Sequence, residues 1–119
     1  MVPAVSPHAV MDELEQTFQQ ALKNARSIKD EDERSEALYD IAVAMAKAEL
    51  FNQAIQVAKS IEDEDEHSEA LCDIAEEMAK SGLLDQAYEV AKSIEEPIRR
   101  LEALASIVAK MREAGMIGQ

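Results

Sequence analysis

Tryptophan is absent from this sequence, aromatic residues make up only 3% of it, and its 119 residues include one cysteine, three glycines and three prolines. Each scarcity closes a route. Without aromatics the core has to be aliphatic, and so few Gly and Pro leave few turns. The lone Cys72 cannot form an internal disulfide, which allows a reducing compartment. No apolar run approaches the roughly 20 residues that span a bilayer, and the start MVPAVSPHAV lacks the basic end and long apolar core of a secretory signal. A cytoplasmic protein is expected. Positive charge is also short: 12 Lys and Arg stand against 25 Asp and Glu, a net charge of −13. Nucleic acid is therefore an unfavourable partner, because phosphate contacts need clustered Lys and Arg, and an anionic membrane is unfavourable for the same reason.

What is present is aliphatic and repetitive. Hydrophobic residues supply 47% of the chain and charged residues 31%, the balance of a soluble folded domain. Ala, Leu, Ile and Met all suit helices, so the expected class is all-α. Segments 18–50, 51–83 and 84–116 repeat with a period of 33 residues and no gap; the first two match at 21 positions and the last two at 14. A fixed period of this size marks a stacked repeat architecture. The expected organisation is a loose N-terminus over 1–5 and one helical-repeat domain over 6–119.

Within that frame, Ser6-Pro7 reads as a helix start, with Ser6 as N-cap and Pro7 at the first helical position. Val10, Leu14, Phe18, Ala21, Leu22, Ala25 and Ile28 then recur along one helical face. The added turns of this first helix predict cover for one end of the array. Acidic runs follow, in which Asp30 precedes Glu33 and Asp63 precedes Glu66 at capping-box spacing. In the third copy Glu96 takes the cap position and Pro97 the first helical one. That copy starts its helix without the acidic run, so the run reads as a dipole-stabilised helix N-terminus rather than a cation loop. An EF-hand numbered from Asp63 would need Gly and Glu where Ser68 and Ile74 stand.

The long helices that begin there carry Ala37, Leu38, Ile41, Ala42, Met45 and Ala46, repeated as Ala70, Leu71, Ile74, Ala75, Met78 and Ala79. Lys47 and Lys80 occupy the last turn, and Gly82 and Gly115 suit the residue after the helix. Glu49 stands at that place in the first copy, which predicts the weakest turn. Shorter helices follow, with Phe51, Ala54, Ile55, Ala58 and Ile61, then Leu84, Ala87, Tyr88, Ala91 and Ile94. Connections this short force antiparallel pairs, about six helices in all.

Read from Ser35, SEALYDIAVAMAKAELFNQAIQVAKSI resembles the tetratricopeptide repeat, in a 33-residue variant. Leu38, Leu71 and Leu104 fall at the family's large apolar position, Ile41, Ile74 and Ile107 at its leucine, and Ala42 and Ala75 at its small residue. Gly82 matches the turn glycine, Phe51 the following aromatic, and Ala54 and Ala87 the central alanine. Val108 at the small position, Glu49 at the turn, and Ala58 and Ala91 where an aromatic is common depart from it. Ankyrin repeats share the period, but their T-P-L-H signature is missing. The resemblance implies an α-α superhelix whose long helices line a concave groove. It maps that groove onto Glu36, Tyr39, Val43 and Lys47, then Glu69, Cys72, Glu76 and Lys80, then Glu102, Ala105 and Ala109. Members of the family that bind chaperones clamp a carboxylate with Lys and Asn, whereas these positions hold Glu, Tyr, Asp40 and Val.

No catalytic constellation is legible. His8 and His67 have no converging ligands, Cys72 takes the repeat position of Tyr39 and Ala105, and neither a glycine-rich phosphate loop nor H-E-x-x-H occurs. No enzyme activity, cofactor or metal is expected. The leading expectation is a protein–protein interaction scaffold that holds a basic or amphipathic segment of another protein in the acidic groove. The alternative is a structural segment that self-associates through its C-terminal edge, where Leu104, Ile107 and Met111 would lack a covering helix.

Overall fold

A computed structural model describes residues 7–118 of the chain. The expectations for residues 1–5 and for Ser6 as an N-cap lie outside those residues. Among the described residues there are six α-helices and no strand: α1 (Pro7–Arg26), α2 (Glu31–Lys47), α3 (Phe51–Lys59), α4 (Glu64–Lys80), α5 (Leu84–Lys92) and α6 (Pro97–Glu113). The helices α2, α4 and α6 are each 17 residues long, and α3 and α5 are each nine.

The repeated sequence acts locally through the helix ends. Asp30 accepts a hydrogen bond from the Glu33 amide and Asp63 from the Glu66 amide, both at 2.9 Å. Glu96 accepts from the amides of Ile98 and Arg99 at 3.2 and 2.8 Å, with Pro97 next to it. Each of these side chains satisfies an amide that has no partner inside the helix. At the other end Leu50, Leu83 and Met116 donate back to Met45, Met78 and Met111, all at 2.9 Å, closing three Schellman turns. The residue before each donor has positive φ: Gly82 at 84°, Gly115 at 77° and Glu49 at 65°. Glu49 therefore carries the left-handed strain that glycine avoids. Its carboxylate accepts a 3.0 Å bond from the Ser81 hydroxyl, which ties this turn to the next one.

The junctions leading into α2 and α6 have a fastening of their own. Arg34 Nη1 donates to the carbonyls of Ile28 and Lys29 at 2.8 and 3.4 Å. Arg100, one period later twice over, donates to those of Ile94 and Glu95 at 3.0 and 3.4 Å. His67 occupies this position in the middle copy and makes no such bond among the described residues, so that junction lacks the guanidinium clasp.

The helices α2 and α4 each pack on their neighbours in sequence and on the adjacent long helices: α2 on α1, α3 and α4, and α4 on α2, α3, α5 and α6. The Cα extents are 51 × 45 × 17 Å. The thickness suits two layers of helices, and the radius of gyration, 16.1 Å, exceeds the roughly 13–14 Å of a spherical domain this long. Small side chains permit the close approach. Ala42, Ala54, Ala58, Ala75, Ala87 and Ala91 are all 0% exposed, with Met45, Ile74, Ile94 and Ile107 filling the space between them.

The structure corrects one expectation about the C-terminal edge. Ile107 and Met111 are buried and Leu104 is half-buried, because α6 turns that face to α4 and α5. The large apolar side chains left exposed on α6 are Ile98, Leu101 and Val108.

Ile74 lies at the centre of this core, so Ile74→Ala is expected to cost about 2–5 kcal/mol in chemical denaturation, and a loss well under 1 kcal/mol would show that the site is not packed. Glu49→Gly removes the left-handed strain and gives up the bond to Ser81. The expected net result is a gain of up to about 1 kcal/mol by the same measurement.

Candidate protein-interaction face

Helical spacing puts Glu36, Tyr39, Asp40 and Val43 on one side of α2, and Glu66, Glu69, Asp73 and Glu76 on the matching side of α4. Packing brings the two rows together. The Tyr39 hydroxyl donates to Asp73 Oδ2 across the α2–α4 boundary. Glu66 faces Glu36 and Asp40 of α2 as well as Glu69 and Asp63 of its own segment. On the other flank, Arg99 of α6 faces Glu69 and lies 3.4 Å from Glu102, and Glu76 faces Lys110. In each pair that joins two helices the partner sits about one repeat further along the chain. Residue numbers thus rise together on neighbouring long helices, as they do only when helices run parallel.

The electrostatics of this face are unbalanced. Burial and then the surrounding carboxylates Glu69, Asp63, Glu36 and Asp40 raise the pKa of Glu66. Burial and Asp73 raise that of Glu76, with Lys80 and Lys110 opposing. Burial, the bond to Asp73 and the charges of Asp73, Glu69 and Glu66 push the Tyr39 phenol up. The Cys72 thiol is pushed up to about 11 by burial and by Glu76, Asp73 and Glu102. At neutral pH it is a protonated core side chain, since only the thiolate is nucleophilic.

The eleven residues mapped from the resemblance divide accordingly. Glu36, Lys47, Lys80 and Glu102 are exposed, while Tyr39, Val43, Glu69 and Glu76 are half-buried on the shared face. Cys72, only 6% exposed, offers no surface for contact. Ala105 and Ala109 are exposed on α6, which has no further long helix beside it among the described residues.

Three contributors escaped the sequence reading: Glu66, Asp73 and Arg99. Asp73 is legible only once Tyr39 is known to reach across to it, because Tyr39 occupies a position held by Cys72 and Ala105 in the other copies. Arg99 had a signal in the alignment, since it replaces Glu33 and Glu66 at one repeat position and so brings a cation to an otherwise acidic row.

Among the described residues no group of three His, Cys, Asp or Glu is arranged to hold a metal ion. A recess of about 200 Å³ lies away from the acidic face, lined by Gln19, Leu22 and Arg26 of α1 and Gln53, Gln56 and Val57 of α3, with Met45 at its floor. No family model matches the chain, and no curated protein or solved structure matches it either. The acidic face is thus described by its own chemistry. No helix among the described residues is long and apolar enough to cross a membrane.

A carboxylic acid whose pKa is raised by folding binds its proton more tightly in the folded state. Its contribution is complete below the ordinary value of 4.5 and declines as pH rises through the folded value. Stability is therefore expected to increase as pH is lowered from 7 to about 5. Glu96 works in the opposite sense, because its amide bonds lower its pKa and its contribution fades only below 4.5. Thermal unfolding across this range should show the rise, and Glu66→Gln with Glu76→Gln should flatten it.

Proposed function

We propose that the chain is a tetratricopeptide-like α-α superhelix acting as a protein-interaction scaffold, which takes a basic, amphipathic segment of a partner protein on the face shared by α2, α4 and α6. The fold part of this reading is supported by the 33-residue recurrence of helix length and end geometry and by the packing of each long helix on the next. The binding part rests chiefly on the crowding of Glu36, Asp40, Glu66 and Glu69 around the α2–α4 boundary, where Glu66 holds its proton more tightly than usual.

Such crowding is a destabilising arrangement for the isolated domain. A cationic segment laid along the boundary would relieve it, and the half-buried Val43 and the aromatic ring of Tyr39 give an apolar strip beside the charge. The complementary field would guide encounter and fix orientation more than it would supply raw affinity. Binding, not catalysis, is the role this chemistry favours. The protonated thiol, the hydrogen-bonded phenol and the repelled carboxylates offer no base poised beside a nucleophile.

A synthetic Lys- and Leu-rich helical peptide is the direct probe. The wild-type chain should bind it with an affinity that falls as salt rises, and Glu36→Lys with Glu69→Lys should weaken binding by about tenfold or more. Equal binding by the variant in fluorescence anisotropy would reject the acidic face as the docking surface.

A further inference from the structure

The recess between α1 and α3 is chemically unlike the rest of this acidic molecule. Helix α1 packs on α2 and makes no close backbone approach to α3, so a hollow of about 200 Å³ stays open between the two, floored by the buried Met45. Its wall on α1 is Gln19, Leu22 and Arg26, and on α3 Gln53, Gln56 and Val57. No carboxylate lines it. Other recesses are lined by Asp12 and Glu15, by Glu13, or by Asp85. Arg26 forms no ion pair among the described residues, and the buried Gln53 Oε1 has no hydrogen-bond partner among them. A cation and an unsatisfied amide thus stand on either side of an apolar floor.

The repeats show that this chemistry does not belong to every such groove. One period later the positions of Arg26, Gln53 and Gln56 are held by Lys59, Gln86 and Glu89. Glu89 brings a carboxylate, which pairs with Lys92 at 3.5 Å, and Gln86 is exposed where Gln53 is half-buried. The recess also faces away from the acidic rows. Met45 follows Glu36 by about two and a half helical turns, which puts it on the opposite side of α2. At physiological salt the field of exposed charges is largely screened beyond about 8 Å, so the acidic face does little to keep an anion from the groove between α1 and α3.

We infer that this recess binds a small aliphatic α-hydroxy acid. Arg26 takes the carboxylate through its planar fork, and the amide groups of Gln19 and Gln56 donate to the same oxygens. The hydroxyl pairs with Gln53. No hydrogen bond among the described residues holds that side chain where it is, so its amide turns towards a ligand without giving one up. A hydroxyl both donates and accepts, so it serves whichever end of the amide it meets. The alkyl chain covers Leu22, Met45 and Val57. Other small anions fit less well. The ammonium of an amino acid would find no carboxylate in the lining, and a phosphate dianion would find a single guanidinium for its two charges. The volume lies below the roughly 300–1,000 Å³ of drug-sized pockets, which limits the ligand to a short chain.

Titration of the isotope-labelled whole chain with α-hydroxyisocaproate, followed by nuclear magnetic resonance, tests the inference. Saturable shifts of amide signals from α1 and α3 are expected in the millimolar range that suits a ligand of about nine heavy atoms. Isocaproate, which lacks the hydroxyl, leucine, which replaces it with an ammonium, and inorganic phosphate should each bind about tenfold more weakly. Arg26→Gln should weaken binding of the hydroxy acid by about tenfold or more while helical circular dichroism is unchanged. Gln53→Leu should abolish the preference for α-hydroxyisocaproate over isocaproate, a change in selectivity that general loosening of the fold would not produce. Lys59→Gln, in the next groove, should leave binding as it is. No saturable shift at about 50 mM, equal or tighter binding of isocaproate, leucine or phosphate, or wild-type affinity and selectivity in the Arg26 and Gln53 variants would overturn the assignment.

Discussion

Close lateral packing of the long helices is the constraint on which everything else in this molecule depends. A 17-residue amphipathic helix cannot bury its apolar side alone, and the sequence holds no Trp and few other aromatics that could cover it with a single side chain. Small residues solve the problem by letting backbones approach. Ser35 and Ala42 on α2, then Ser68 and Ala75 on α4, vanish beneath the next long helix, while Ile74 and Ile107 fill the layer behind. Among the described residues the buried Ser68 hydroxyl has no hydrogen-bond partner, a small cost accepted for a side chain small enough to fit.

The same closeness creates the acidic face. Carboxylates on separate exposed helices would be screened by water and salt, but packed parallel helices bring Glu36 and Asp40 towards Glu66. Part of the strain is relieved internally, by Tyr39 donating to Asp73 and by Arg99 facing Glu69. The remainder leaves the boundary between α2 and α4 with an excess of negative charge. The middle copy concentrates these tensions. It is the most acidic of the three, and at its entry His67 replaces the arginine whose equivalents, Arg34 and Arg100, clasp the preceding carbonyls.

Helix starts were legible because they depend on a few neighbouring atoms. Asp30, Asp63 and Glu96 cap as their spacing implied, and the Glu96-Pro97 pair showed in advance that the acidic runs serve helix termini. Glu49 was marked as the odd member of the turn series and does adopt the conformation that glycine prefers. Its bond to Ser81 was not legible, since the two lie in different repeats and only packing brings them within reach.

By itself, then, the sequence determined the helical class, the period, the helix ends and the aliphatic core, all of which follow from propensities and hydrogen bonds within a few residues of each other. Tertiary structure alone decided which sides of those helices would see water. It buried Cys72 and left the equivalent Ala105 exposed, it covered Ile107 and Met111 instead of Ile98 and Leu101, and it joined Tyr39 to Asp73. Periodicity gives each helix an apolar side but does not say which neighbour lies against it, and for α6, the outermost long helix, that neighbour decides whether the same positions are core or surface.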